Sequence, residues 1–374
     1  MSTGPGIFLR SWKGIALLSL LGLAVNAFLL GPSIQITING TTDFMAIYSG
    51  THLAFTGKMY DLAANFRVQR EAAGWENPNR LFLRPPFDAL LMWPLGQLPF
   101  LQAAYLWVFL LIGLTLAFCL IWPENRKHAA VVCCWSLPLY YSVADGQDVA
   151  VLLLAIALAL RLRRAGRPFT GGMVISLCAI KFHLFLLAPL LFIRRRNWRF
   201  LSGILTGGAI LTALSFLAGG ANWPARYLAL LRNPITNPWA QSMPNMHGLA
   251  SLLPWSSAGE IVGTILVAAL TWLTIRNSGF EYGLAAVLAG GILTAPHTYL
   301  SDCAMTIPAL LIAAPGSRDL QRFVSLFALS PLACIWVIAG PAWITTLALL
   351  AFLGVMPLGA RTTLFSAVPR RLRS

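Results

Sequence analysis

Apolar residues run along this chain in blocks too long for the alternation of a half-buried strand and too uniform for a one-faced surface helix. Twelve such runs are legible, near 13–31, 99–121, 128–143, 147–161, 169–180, 182–193, 199–218, 258–275, 280–295, 302–314, 322–339 and 341–359. Several reach the length of about 20 residues that a helix needs to cross the hydrocarbon of a bilayer. Backbone polar groups in lipid must be satisfied within the segment, so the pattern predicts an all-α bundle. The first run follows Arg10 and Lys13 and ends at Gly31-Pro32 without a small-x-small cleavage site, so it reads as a retained helix. Residues 1–374 read as a single integral membrane domain of about 12 spans.

Composition agrees with the pattern. Hydrophobic residues make up 57% and charged residues 10% of the 374, where soluble domains carry roughly 25% charged. The net charge of +15 would suggest nucleic acid in a soluble protein. Here the positives sit in short clusters between apolar runs, such as Arg161-Leu162-Arg163-Arg164 and Arg194-Arg195-Arg196, as in cytoplasmic loops of membrane proteins. With both termini in the cytoplasm, the inner segments collect more than twice as many Lys and Arg as the outer ones. That bias favours this orientation over its inverse; the membrane is expected to be the inner (plasma) membrane, with the outer loops periplasmic. The six cysteines show no metal-ligand spacing and read as small apolar residues.

One spacing constrains the topology. The clusters at Arg161–Arg167 and Arg194–Arg199 both read as cytoplasmic, yet only Pro168 to Ile193 separates them, little more than one span. This stretch therefore predicts a pair of short, broken helices turning near Lys181-Phe182-His183. The preceding pair turns at Asp145-Gly146-Gln147-Asp148. Non-helical backbone at membrane depth is tolerated only beside protein or water, so the two turns predict a cavity open to the outside. The first outer loop, 32–98, is too long for an idle connection. Within it, Thr42–Phe55 reads as a short amphipathic helix with Thr41 or Thr42 as cap and Asp43 in its first turn. A second outer loop spans 219–257, and a short third one holds Pro296-His297.

On this topology most carboxylates and histidines fall outside, and the chemistry with them. Asp43 follows a span closely, in position to take a proton from a hydroxyl; the alternative is a helix-start carboxylate that complements the helix dipole. Lys181, between two apolar half-helices, needs water or an anion such as a lipid phosphate, unless it snorkels to the interface. Arg84, fixed by Pro85-Pro86, and His297 are the other phosphate candidates. Gln147, Asp148, Asp61 and His247 are candidates for sugar or acceptor hydroxyls. No Gly-rich phosphate loop and no Asp-x-Asp pair appears, so the sequence predicts neither a nucleotide donor nor a metal or other cofactor.

The series Asp43-Phe44 … Tyr48 … Gly57-Lys58-Met59-Tyr60-Asp61 … Arg84-Pro85-Pro86-Phe87 … Trp93-Pro94-Leu95 … Leu98-Pro99 resembles glycosyltransferase family 87, a family of GT-C membrane enzymes that includes polyprenol-phosphate-mannose-dependent α-mannosyltransferases. The resemblance continues through Gly146-Gln147, Lys181 and Pro296-His297. It implies a GT-C-like fold, a catalytic aspartate at Asp43, a polyprenyl-phosphate sugar donor, a lipid or glycan acceptor, inverting hexosyl transfer, and His297 in the site. Two positions depart from the family pattern: Asp148 where Asn commonly follows Gly-Gln, and Phe182 where Pro commonly follows the lysine. Both bear on sugar and acceptor identity. The competing reading is a lipid or glycan transporter or flippase, since broken helices with a midplane lysine also occur there; no inverted repeat supports it.

Overall fold

The computed structural model describes residues 12–236, 239–314, 319–328 and 330–366. Arg10, Arg318, Arg370, Arg371 and Arg373, which enter the charge argument for orientation, lie outside that set. Among the described residues the chain is all-helical. Five helices are long and apolar enough to cross a membrane: Trp12–Leu29, Phe100–Ile121, Pro168–Phe185, Trp198–Gly219 and Ser256–Arg276. A bent pair, Arg322–Ala328 with Pro331–Ala339, makes a sixth if counted as one span. Other apolar runs form shorter helices, including Phe280–Thr294, Leu300–Ala313 and Trp343–Leu358. The expected run 128–143 is two helices, Arg126–Trp135 and Leu137–Ala144, broken at Ser136, whose hydroxyl accepts from the Leu139 amide as an N-cap. Pro138 in the first turn suits that start.

The stretch before the second basic cluster breaks at Lys181. The α-helix Pro168–Ile175 tightens into 3-10 turns over Ser176–Phe185, and Lys181 leaves helical geometry altogether (φ −121°, ψ 54°). Helix Ala188–Arg195 follows. The first half packs closely on Trp198–Gly219 through glycines. A Cβ on Gly172 would run into the Phe200 carbonyl, and one on Gly203 into the Phe169 carbonyl. Close backbone approach through small residues is the usual packing device between helices in lipid. It fixes where the broken segment presents Lys181.

The long first loop does not lie on the surface. The helix expected over Thr42–Phe55 is Phe44–Leu53, and it is buried on nearly every side rather than amphipathic; only His52 is exposed. The reason is a second apolar core that the loop shares with the start of helix Phe100–Ile121. Phe44 stacks near Phe100 and Trp107, with ring centroids 6.2 and 6.0 Å away, and Gly50 lets Phe82 lie directly against the helix. The cap also differs from expectation. Asp43, not Thr41 or Thr42, is the N-cap residue, and its carboxylate makes no capping bond. The backbone N–H of Asp43 instead donates to the Asp145 carbonyl at 2.8 Å, tying the loop to the turn between Leu137–Ala144 and Val149–Arg164.

Candidate active site

Asp43 is held at the start of its helix with its carboxylate free of the helix amides, so both oxygens are available to side chains. Oδ1 pairs with Nη1 of Arg80, and Oδ2 accepts from Nε2 of Gln147. The side chain retains 20% exposure, leaving one flank accessible. Arg80 reaches on to Oδ1 of Asp145 at 3.4 Å.

Gln147 is the hub. It sits in the turn expected at 145–148, where Gly146 adopts φ 72°, a conformation glycine reaches without strain. The Trp107 indole donates to the Gly146 carbonyl at 2.8 Å from inside the core, which fixes the turn. The Gln147 amide donates to Asp43, while its Oε1 accepts from Lys181 Nζ at 3.0 Å and Arg84 Nη2 at 3.3 Å. The expected neighbourhood of Asp43 and Lys181 is therefore present, with a single side chain between them.

Lys181 is buried at the break of its helix and ion-paired with Asp302 at 2.6 Å, with Asp148 at 3.6 Å. Arg84 donates from Nε to Asp148 at 2.8 Å and lies 3.5 Å from Asp88. Its backbone carbonyl is held by the Tyr60 hydroxyl at 2.7 Å. Burial works against the Arg84 charge, but Asp148 and Asp88 more than offset it and hold the guanidinium above its ordinary range. Asp88 is fully buried, with both carboxylate oxygens lacking hydrogen-bond partners. Burial, then the Asp148 charge, pushes it up to about 7, against the pull of Arg84 and Lys181. Burial likewise raises Asp145 to about 6, with Arg80 opposing. The cluster thus sets Asp43, Asp88, Asp145, Asp148 and Asp302 against Arg80, Arg84 and Lys181, an excess of carboxylates over cations. Even so, no group of three or more His, Cys, Asp or Glu among the described residues is arranged to hold a metal ion.

The remaining candidates divide. His297 stacks on His183, two residues beyond Lys181, with centroids 4.3 Å apart. Burial pushes His297 below the usual imidazole range, with Asp302 partly opposing. It therefore stands as a neutral ring, a hydrogen-bonding group rather than a cation. Asp61 is the N-cap of Leu62–Ala73, accepting from Ala64 N at 2.8 Å. His247 pairs with Glu260 at 2.9 Å. Among the described residues, neither makes a hydrogen bond or ion pair with the cluster. Sequence reasoning left out Arg80, Asp88 and Asp302. Only their place in polar loops beside apolar runs marked them, and the partners of Arg80 and Asp302 lie far away in the chain.

Comparison with known proteins gives a family match. A family model for glycosyltransferase family 87 matches residues 82–298, more than half of the chain. The matched segment contains Arg84, Asp88, Asp145, Gln147, Asp148, Lys181 and His297; Arg80 lies just before it, Asp43 well before it and Asp302 just after it. Searches of curated proteins and of solved structures find no match. A membrane-embedded bundle with a polar cluster where its loops and broken helix meet, and a family match across its middle, together identify the chain as a member of glycosyltransferase family 87.

Proposed function

We propose that this chain transfers a hexose, mannose first among the candidates, from a polyprenyl-phosphate donor to a lipid or glycan acceptor at the periplasmic face of the inner membrane. The observation that carries the reading is the link from Asp43 through Gln147 to Lys181 and Arg84. It puts a carboxylate and two cations on opposite sides of one amide. Asp43 takes the proton of the acceptor hydroxyl as that oxygen attacks the anomeric carbon. The bond from that carbon to the phosphate oxygen breaks with inversion, and polyprenyl phosphate leaves as an anion. The leaving group needs no general acid, so one carboxylate suffices where a hydrolase uses two.

Lys181 and Arg84 stabilise the departing phosphate electrostatically. Both already hold carboxylates, so the donor phosphate enters by exchange: it displaces Asp302 or Asp148 from the cations. Asp88 and Asp145 can take up protons near neutrality, which offsets the negative charge the donor brings. Gln147, and Asp148 once the phosphate has released it from the cations, meet the sugar hydroxyls, and His297, as a neutral ring, donates a hydrogen bond to the phosphate or sugar.

The test is a transfer assay on purified protein with radiolabelled polyprenyl-phosphate mannose and a membrane-lipid extract. Wild type should move label into a new product. Asp43→Asn should bind donor but lower transfer by at least about 100-fold, the scale of a lost general base. Equal transfer by both removes Asp43 as the base. Donor binding with no product from wild type means a different sugar or acceptor.

A further inference from the structure

Asp43 is reached by a second chain of contacts that the transfer chemistry does not by itself require. The Asp145 carbonyl accepts from the Asp43 backbone N–H at 2.8 Å, and its Oδ1 lies 3.3 Å from the same nitrogen. That same Oδ1 meets Nη2 of Arg80 at 3.4 Å, while Nη1 of Arg80 holds Asp43. The guanidinium therefore forks across two carboxylates of different burial: Asp145 is buried and Asp43 is partly open. The backbone of Arg80 is clamped as well. The buried Gln69 donates from Nε2 to the carbonyls of Arg80 at 3.1 Å and Asn77 at 3.3 Å, and accepts from the Asn77 amide at 2.7 Å. Asn77 in turn caps the short 3-10 turn Pro78–Arg80.

We infer that Arg80, anchored by Asp145, is a positioning residue for Asp43, which rests on the reading of Asp43 as the base. A planar guanidinium whose two terminal nitrogens are each committed fixes the rotation of the carboxylate it holds. With Oδ1 tied to Arg80 and Oδ2 approached by Gln147 from the other side, the carboxylate plane is set before an acceptor arrives. A base oriented by a third, buried group is the logic of many hydroxyl-activating sites. A cation that held the donor phosphate would act on donor affinity; a cation that holds the base acts on turnover.

The experiment is steady-state transfer by Arg80→Ala, Arg80→Lys and Asp43→Asn, with elution profile and thermal unfolding as checks on folding. Arg80→Ala should lose about 100-fold in kcat, as expected when a reacting group is misplaced, while its donor KM moves less than about threefold. Added guanidinium at millimolar concentration should restore part of that kcat and leave Asp43→Asn inactive. Arg80→Lys, which keeps the charge but lacks the planar fork that spans both carboxylates, should fall between Arg80→Ala and wild type, and it carries the test if the alanine variant does not fold. A raised donor KM with kcat kept would overturn the inference and make Arg80 a phosphate ligand. So would wild-type kcat in both Arg80 variants, or a folded Arg80→Ala on which guanidinium has no effect. If Asp43→Asn itself retains transfer, the fault lies with the base and not with Arg80.

Discussion

Gln147 uses both ends of its amide, donating to Asp43 and accepting from Lys181 and Arg84. Glutamate at this position keeps the acceptor and loses the donor, so a second negative charge faces Asp43 across hydrogen-bonding distance. Like charges so close cannot both stay ionised without cost. Gln147→Glu should therefore lose about 100-fold in kcat, the scale of lost electrostatic preorganisation, with its pH–rate profile displaced from wild type; an unchanged profile would argue against the bridge. Asp88 supplies a stability test. Its carboxyl is raised from 3.8 to about 7 when folded, so between these values the native state holds the extra proton. Stability then falls as pH rises through that window. Asp88→Asn removes that proton and should flatten the decline: the gap in apparent Tm between pH 5 and pH 8, measured in detergent, should be smaller than for wild type. Lys181 stood out in the sequence because a lysine in an apolar run is costly, and Asp43 because of its place after a span and at the head of the family-like series. Arg80 and Asp302 did not. An arginine in a polar loop is ordinary, and what makes these residues matter is a partner that chain order hides.

At the scale of elements, the turn at 145–148 does most to assemble the site. A Cβ on Gly146 would sit 2.9 Å from the Phe44 side chain and 3.3 Å from its backbone nitrogen, beside the residue that follows Asp43. Positive φ adds about 1–2 kcal/mol for a residue other than glycine. Gly146→Ala should lower the apparent Tm by a few degrees and kcat by more than that loss explains, because the contact pushes Asp43 away from Gln147. A Tm shift without a kcat deficit would count against this account. Both breaks in the helical pattern were readable, at Lys181 and at the turn, because two basic clusters too close for full spans force them. The character of the Phe44–Leu53 helix was not. The pattern over Thr42–Phe55 suggested one apolar and one polar face, but Phe100 and Trp107 cover the Phe44 side while Phe82 covers the Gly50 side, and all three arrive from later in the chain. The run near 128–143 was legible as apolar yet not as two pieces, since a serine followed by Leu137-Pro138 marks a new helix start only once the chain bends there.

For the whole molecule, the charge bias assigns the first loop and the Arg126 end of the bundle to opposite sides of the membrane. Arg67 and Arg126 are both exposed, so each can be replaced by cysteine without entering the core. A membrane-impermeant maleimide applied to intact cells should label Arg67→Cys and should reach Arg126→Cys only after permeabilisation; the reverse pattern inverts the orientation. Apolar content made the membrane class plain, whereas the number of complete crossings depends on which short helices pair end to end, a property of three-dimensional contact. The Gln147 bridge has a consequence for the molecule as a binding machine. On the proposed mechanism, that single amide joins the base to the cations that meet the donor, so occupancy at one end changes the free energy at the other. Such coupling is reciprocal by thermodynamic necessity. Whatever anion loads Lys181 alters the proton affinity of Asp43, and protonating Asp43 alters how tightly that anion is held by the same factor. On that mechanism donor and proton are linked ligands of one site, and the order in which they bind cannot change the final state.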